Sequence, residues 1–209
     1  MPLQNRVAPS GEIFASTARG SFMGNRGGAI HNDRRKIVRQ YAGRRWITCL
    51  LEFKGRRRTV MSPGRYTELF FLDEAVALAA GHRPCAECRR ERFNAFKAAW
   101  NSCERPAGGR PPLADEIDLE LHATRIHRRA EKVTFQATLE SLPDGCFVQI
   151  EGRSYLLLGD ALVLWSPAGY VGKRHRPGDL VVTVLTPEPI VRCIRQGYQP
   201  ETHWSALTI

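Results

Sequence analysis

Residues 70–88 read Phe-Phe-Leu-Asp-Glu-Ala-Val-Ala-Leu-Ala-Ala-Gly-His-Arg-Pro-Cys-Ala-Glu-Cys, and this run constrains the fold more than any other in the chain. Asp73 suits the N-cap of a short alanine-rich helix over 74–80, and Gly81 supplies the left-handed residue that stops it. Pro84 suits the first position of a second helix, which predicts that Cys85 and Cys88 lie in its opening turn, where free N–H groups and the helix dipole favour thiolates. Such a pair holds a soft metal or forms a dithiol. The second helix continues to Trp100, with Phe93, Phe96 and Trp100 spaced as one buried stripe.

The segment Ala79-Ala80-Gly81-His82-Arg83-Pro84-Cys85-Ala86-Glu87-Cys88, preceded by Phe71 and the alanine-rich helix, resembles the second half of the zinc domain of Ada-type DNA alkylation-repair proteins. The resemblance covers residues 45–92 if the strand-like stretch before it is included. That family holds zinc with four cysteines. Its first cysteine pair would fall where this chain reads Lys54-Gly55-Arg56-Arg57-Arg58, which contains none. The resemblance therefore implies a shared small fold, zinc as the candidate metal and a DNA-facing surface. The four-cysteine site and the methyl-accepting cysteine do not carry over. Cys85 and Cys88 are the surest candidate ligands, with Cys49, His82, His122, His127 and Cys103 as further candidates.

The formal net charge of +10 is unevenly placed: residues 1–110 hold 21 Lys+Arg against 9 Asp+Glu, and residues 111–209 hold 10 against 12. The excess is mostly arginine, whose planar fork suits phosphate. A solvated surface in an arginine-rich chain explains the same count. A nucleic-acid partner, DNA before RNA, is the functional expectation, with Arg19, Arg26, Arg56, Arg57, Arg58, Arg83, Arg89 and Arg90 as candidate phosphate contacts. No apolar run approaches the roughly 20 residues that span a bilayer, and the first residues lack a signal peptide's apolar segment. A cytoplasmic protein without a membrane partner is expected. Six cysteines at 49, 85, 88, 103, 146 and 193 show no disulfide framework.

Residues 1–45 have no clear period and predict a loop-rich arm, in which the glycine-rich run 19–28 is either a pair of tight turns or an anion cradle flanked by Arg19 and Arg26. It lacks a P-loop's Gly-Lys-Ser/Thr ending. Residues 44–53 predict a strand, with Cys49 in the core, leading into a hairpin whose tip is Arg56 to Arg58. Residues 104–113 have linker composition. Residues 115–132 open acidic and end basic, as a helix does, and beyond them apolar runs alternate with Pro-Asp-Gly, Glu-Gly and Gly-Asp turns. The expected fold class is α+β: a small basic Ada-like αβ domain with its N-terminal arm over 1–105, a linker or exposed loop at 106–113, and a β-rich meander or barrel-like module with one leading helix over 114–209.

Three function classes follow. The first is a nucleic-acid-binding protein with a DNA repair, modification or regulatory role. The second is a nuclease-like or hydrolase-like enzyme that holds phosphate in the glycine loop and uses His31, His82 or His122 as acid, base or ligand. The third is a thiol redox protein built on Cys85 and Cys88, although no βαβ pattern precedes them.

Overall fold

The structure is a computed structural model, and it describes residues 1–56, 59–104, 110–127 and 131–209. It is an α+β fold with a β-rich C-terminal part. Three strands come from the N-terminal segment, β1 (Gln4–Val7), β2 (Ile13–Ala15) and β3 (Phe22–Arg26). β4 (Trp46–Cys49), β5 (Leu69–Phe71) and the two-residue β6 (Arg83–Pro84) complete a mixed sheet in the order β2-β1-β5-β3-β4-β6. The expected loop-rich arm is thus half of a sheet. Its strands are too short for alternation to stand out, and β1 and β3 are held by β5, which is distant in sequence.

The first helix, α1 (Glu74–Ala79), forms as its cap predicts: Asp73 Oδ1 accepts from Val76 N at 2.8 Å, and Gly81 takes a φ of 86°. The second helix differs from expectation. Arg83 and Pro84 pair in parallel with Ile47 and Thr48, and the Cys85 amide donates to the Thr48 carbonyl at 2.9 Å. That pairing holds the chain extended, so α2 (Arg90–Glu104) begins only after Cys88. β4 has β3 on one side and β6 on the other. Both of its hydrogen-bonding edges are therefore taken, and the expected hairpin with residues 59–61 does not form. Of its basic tip, Arg57 and Arg58 lie outside the described residues.

After α3 (Ala114–Arg125), the second sheet comprises β7 (Phe135–Thr138), β8 (Phe147–Ile150), β9 (Arg153–Leu158), β10 (Ala161–Ser166), β11 (Gly169–His175) and β12 (Val181–Val184). It is antiparallel throughout, in the order β11-β10-β9-β8-β12-β7. α4 (Glu188–Arg195) follows, and a short α5 (Ser205–Thr208) ends the chain.

Both apolar clusters draw on both halves. Phe93, Phe96 and Trp100 of α2 pack with Ile117 and Leu121 of α3, Leu157 and Val184 of the second sheet, and Ile190 and Ile194 of α4. Leu69, Phe71 and most of α1 pack with Phe147, Leu156, Val163 and Tyr170. The contact is polar as well as apolar. The buried Asp73 carboxylate accepts from the Tyr170 hydroxyl at 2.8 Å and the His203 amide at 2.9 Å. Buried Glu74 accepts from the Tyr198 hydroxyl and the Glu201 amide, and pairs with Arg89 and Arg92.

The strand that leads into the cysteine turn, β6, is itself fixed from α3, because buried Arg83 meets buried Asp118 through Nε at 3.0 Å and Nη2 at 2.6 Å. Removing one partner of such a pair strands the other charge in the interior. Arg83→Met is expected to cost about 3–5 kcal/mol of unfolding free energy. Arg45→Met, which breaks an exposed bridge to Asp115, should cost under about 1 kcal/mol. Denaturant titration of the two variants checks the contrast.

Candidate metal centre

The sequence places Cys49 more than thirty residues before Cys85, and the β4–β6 pairing brings them together. In β4, Trp46 and Thr48 are buried while Ile47 and Cys49 face the opposite, half-buried side. One residue past Thr48 on β4 is Cys49; one past Pro84 on β6 is Cys85. The turn between β6 and α2 then returns Cys88 to the same place. The sulfurs of Cys49, Cys85 and Cys88 all lie within 4.8 Å of one another, the one group of three or more such ligands found among the described residues.

The backbone around the sulfurs is arranged for negative charge. Cys85 Sγ accepts from the Glu87 amide at 3.4 Å and from the Cys88 amide, and Cys88 Sγ accepts from the Leu50 amide. A hydrogen bond from the Cys49 thiol, reinforced by these N–H groups, pulls Cys85 down to about 5, and the same thiol lowers Cys88. Cys49, which holds its proton between the other two sulfurs and is half-buried, is pushed up. Three sulfurs this close cannot all ionise without a cation, and a divalent soft metal supplies that charge. At the rim, Arg56 pairs with Glu87 at 2.7 Å and tethers the loop after β4 to the cysteine turn.

A cleft of about 620 Å³ is lined by Asn25, Gly27, Gly28, Gly43, Arg44, Arg45, Ile47 and Tyr66, together with Asp115 and Asp118 of α3. Asn25 and Ile47 are register partners on the face that also carries Cys49, so cleft and thiols share one side of the sheet. Gly27, at a φ of 83°, has room for no side chain, because an added Cβ would sit 2.6 Å from the Gly43 backbone.

The other candidate ligands stand apart. Buried His82 packs against Trp46 and Phe71, with Nε2 3.4 Å from the Arg26 Nε. His122 rests on Tyr41, with Nδ1 3.5 Å from Arg125. His127 is exposed, and Cys103 bonds carbonyls of its own helix. The proposed enzyme set does not converge either. His31 is buried; the Ser62 carbonyl at its Nε2 can only accept, so the neutral ring donates there and its Nδ1 accepts from the Thr67 hydroxyl, whose oxygen also accepts from the Ile30 amide. Both of its nitrogens hold backbone loops in place.

The candidate phosphate contacts divide sharply. Arg19, Arg56 and Arg90 are exposed. Arg83 and Arg89 are buried against Asp118 and against Glu74 and Glu201, so these two cannot face a polyanion, and Arg26 is buried over Trp46, off the outer surface. Counting charge along a sequence does not separate arginines that seal an interior from those that face water. Among the exposed cations that sequence reasoning missed are Arg34, Arg35, Lys36, Arg39, Arg44 and Arg45. The dense basic run 34–39 is the signal that could have found them.

No protein-family model matches the chain, and neither a curated protein nor a solved structure is significantly similar to it. No helix among the described residues is long and apolar enough to cross a membrane.

His82 links this region to pH. Burial, then Arg26 and Arg125, holds its pKa well below 6.5, so it is neutral in the fold. The unfolded chain takes up the proton first as pH falls, so the stability due to neutral His82 is complete above about pH 6.5 and is lost below it. Wild type is expected to lose stability between pH 6.5 and 5 faster than His82→Gln, by on the order of 1 kcal/mol per pH unit. Urea titrations at each pH check the narrowing gap.

Proposed function

We propose that the protein is a zinc-containing nucleic-acid-binding protein, acting on DNA rather than RNA, with a role in DNA repair, modification or regulation. The observation that carries this is the convergence of Cys49, Cys85 and Cys88 within 4.8 Å. Thiolates with backbone N–H donors are the ligand type that suits zinc, and one of the three lies outside the Cys85-x-x-Cys88 motif. The motif's resemblance to the Ada-type zinc domain supports zinc, and it favours DNA over RNA. The exposed cations Arg34, Arg35, Lys36, Arg39, Arg44 and Arg45 have, apart from the Arg45–Asp115 bridge, no ion-pair partner among the described residues. They support a phosphate-facing surface in place of the buried arginines.

A second reading is favoured by the count of ligands. Zinc held by three protein groups keeps a fourth position for water or a phosphate oxygen, and the 620 Å³ cleft lies on the thiol side of the sheet. Arg44 and Arg45 would hold a phosphate there, and Tyr66 is placed to flank it. This supports a hydrolytic enzyme on nucleic acid.

Elemental analysis of the purified chain is expected to find one zinc per molecule, falling below half in each of Cys49→Ala, Cys85→Ala and Cys88→Ala. Loss in the last two alone would remove Cys49 from the site. DNA binding should weaken steeply with salt. Arg35→Ala with Arg39→Ala should lower the slope of log affinity against log salt by about one per phosphate contact removed. Binding insensitive to salt would refute the nucleic-acid reading.

A further inference from the structure

The face of β4 opposite the thiols carries a second site of different character. A pocket of about 320 Å³ there is lined by Ser10, Gly11, Glu12, Arg26, Gln40, Trp46, Ala80, Arg125, Ile126 and Lys132. Three of these are cations whose heads are withdrawn from water. Arg26 and Arg125 are 1% and 2% exposed, and their guanidinium carbons lie 4.2 and 4.3 Å from the Trp46 ring. Lys132 reaches in to the Ala79 carbonyl at 2.6 Å, its backbone pinned by a bridge to Ile126.

Elsewhere in this molecule a buried arginine is neutralised by a carboxylate, Arg83 by Asp118 and Arg89 by Glu74 and Glu201. The cations of the pocket have no such partner among the described residues. Arg26 Nη2 donates to the Gly11 carbonyl at 2.8 Å and Nη1 to the Gln40 carbonyl at 3.4 Å, while its Nε meets a ring nitrogen of His82. Arg125 donates to the Gly81 carbonyl at 2.7 Å and to the Arg44 carbonyl, and its Nε, fully buried, has no partner. Glu12 lines the pocket but forms no ion pair with any of the three. Burial holds Arg26 at about 9, and burial with repulsion from neighbouring arginines holds Arg125 at about 9 and Lys132 at about 7. Three like charges kept apart from water around one opening form a site awaiting a compact anion.

We propose that this pocket binds a phosphoryl group through Arg26, Arg125 and Lys132, with Trp46 as the floor against which the guanidinium groups are set. Tetrahedral oxyanions match forked guanidinium donors, and a dianion neutralises more of the triad than a carboxylate does. The volume leaves room for the group to arrive on a small phosphomonoester or on the 5′ end of a nucleic acid. The site shares no residue with the thiol centre, so it stands or falls independently of the function proposed above.

The test is calorimetric and thermal titration of the intact protein with inorganic phosphate, against sodium chloride at matched ionic strength. Saturable binding with a rise in Tm beyond the chloride control is expected. Lys132→Met should weaken phosphate at least tenfold. Gln40→Glu, a change at an exposed position that adds a carboxylate beside Arg26, should raise the Tm of the phosphate-free protein and cancel most of the gain from phosphate. Phosphate no more effective than chloride, or bound equally by both variants, would overturn the proposal. Tighter binding of a 5′-phosphorylated oligonucleotide than of its 5′-hydroxyl form identifies a nucleic-acid end as the source. Equal binding of the two, with saturable binding of adenosine monophosphate, identifies a small phosphomonoester.

Discussion

Two rungs of parallel pairing, Ile47 with Arg83 and Thr48 with Pro84, decide what the middle of this protein is. They hold residues 83 and 84 extended where sequence alone favours a helix start, and so delay α2 to Arg90. They place Cys49 beside Cys85, and the turn that follows adds Cys88. So short a ladder has little stability of its own. It persists because Arg83 is locked to Asp118 in the interior, which ties β6 to α3 and through it to the core that the helices share with the second sheet.

The same strand separates two chemistries. Its Ile47 and Cys49 side carries the thiols and the cleft; its Trp46 and Thr48 side carries His82 and the buried cations. Alternation along an extended chain forces this division, because successive side chains leave by opposite faces. A soft metal site and a hard anion site can therefore lie a few residues apart in sequence without sharing a side chain.

How much of this was legible follows from the range of each signal. Short-range signals survived: the Asp73 cap, the Gly81 stop, the aromatic spacing of α2, and the turns that divide the second sheet all act within a few residues. Long-range ones did not. Cys49 reads as a small core residue, and as one further candidate ligand among several, until β6 is known to lie beside it. Arg83 and Arg89 count as surface charge until Asp118, Glu74 and Glu201 are found against them. The charge asymmetry between the halves is real in the sequence, yet part of it is spent joining the halves. Arg26 and Arg125, which have no carboxylate, are the informative exceptions, and nothing in their local sequence marks them.

X-ray absorption at the zinc edge of the purified, unaltered protein tests the central claim most directly, since it counts the atoms around the metal. The convergence of β4 with the cysteine turn predicts three sulfurs at about 2.3 Å and one lighter atom at about 2.0–2.2 Å. A shell with two sulfurs or none would mean that Cys49 is not a ligand, and that the strand pairing does not build the site.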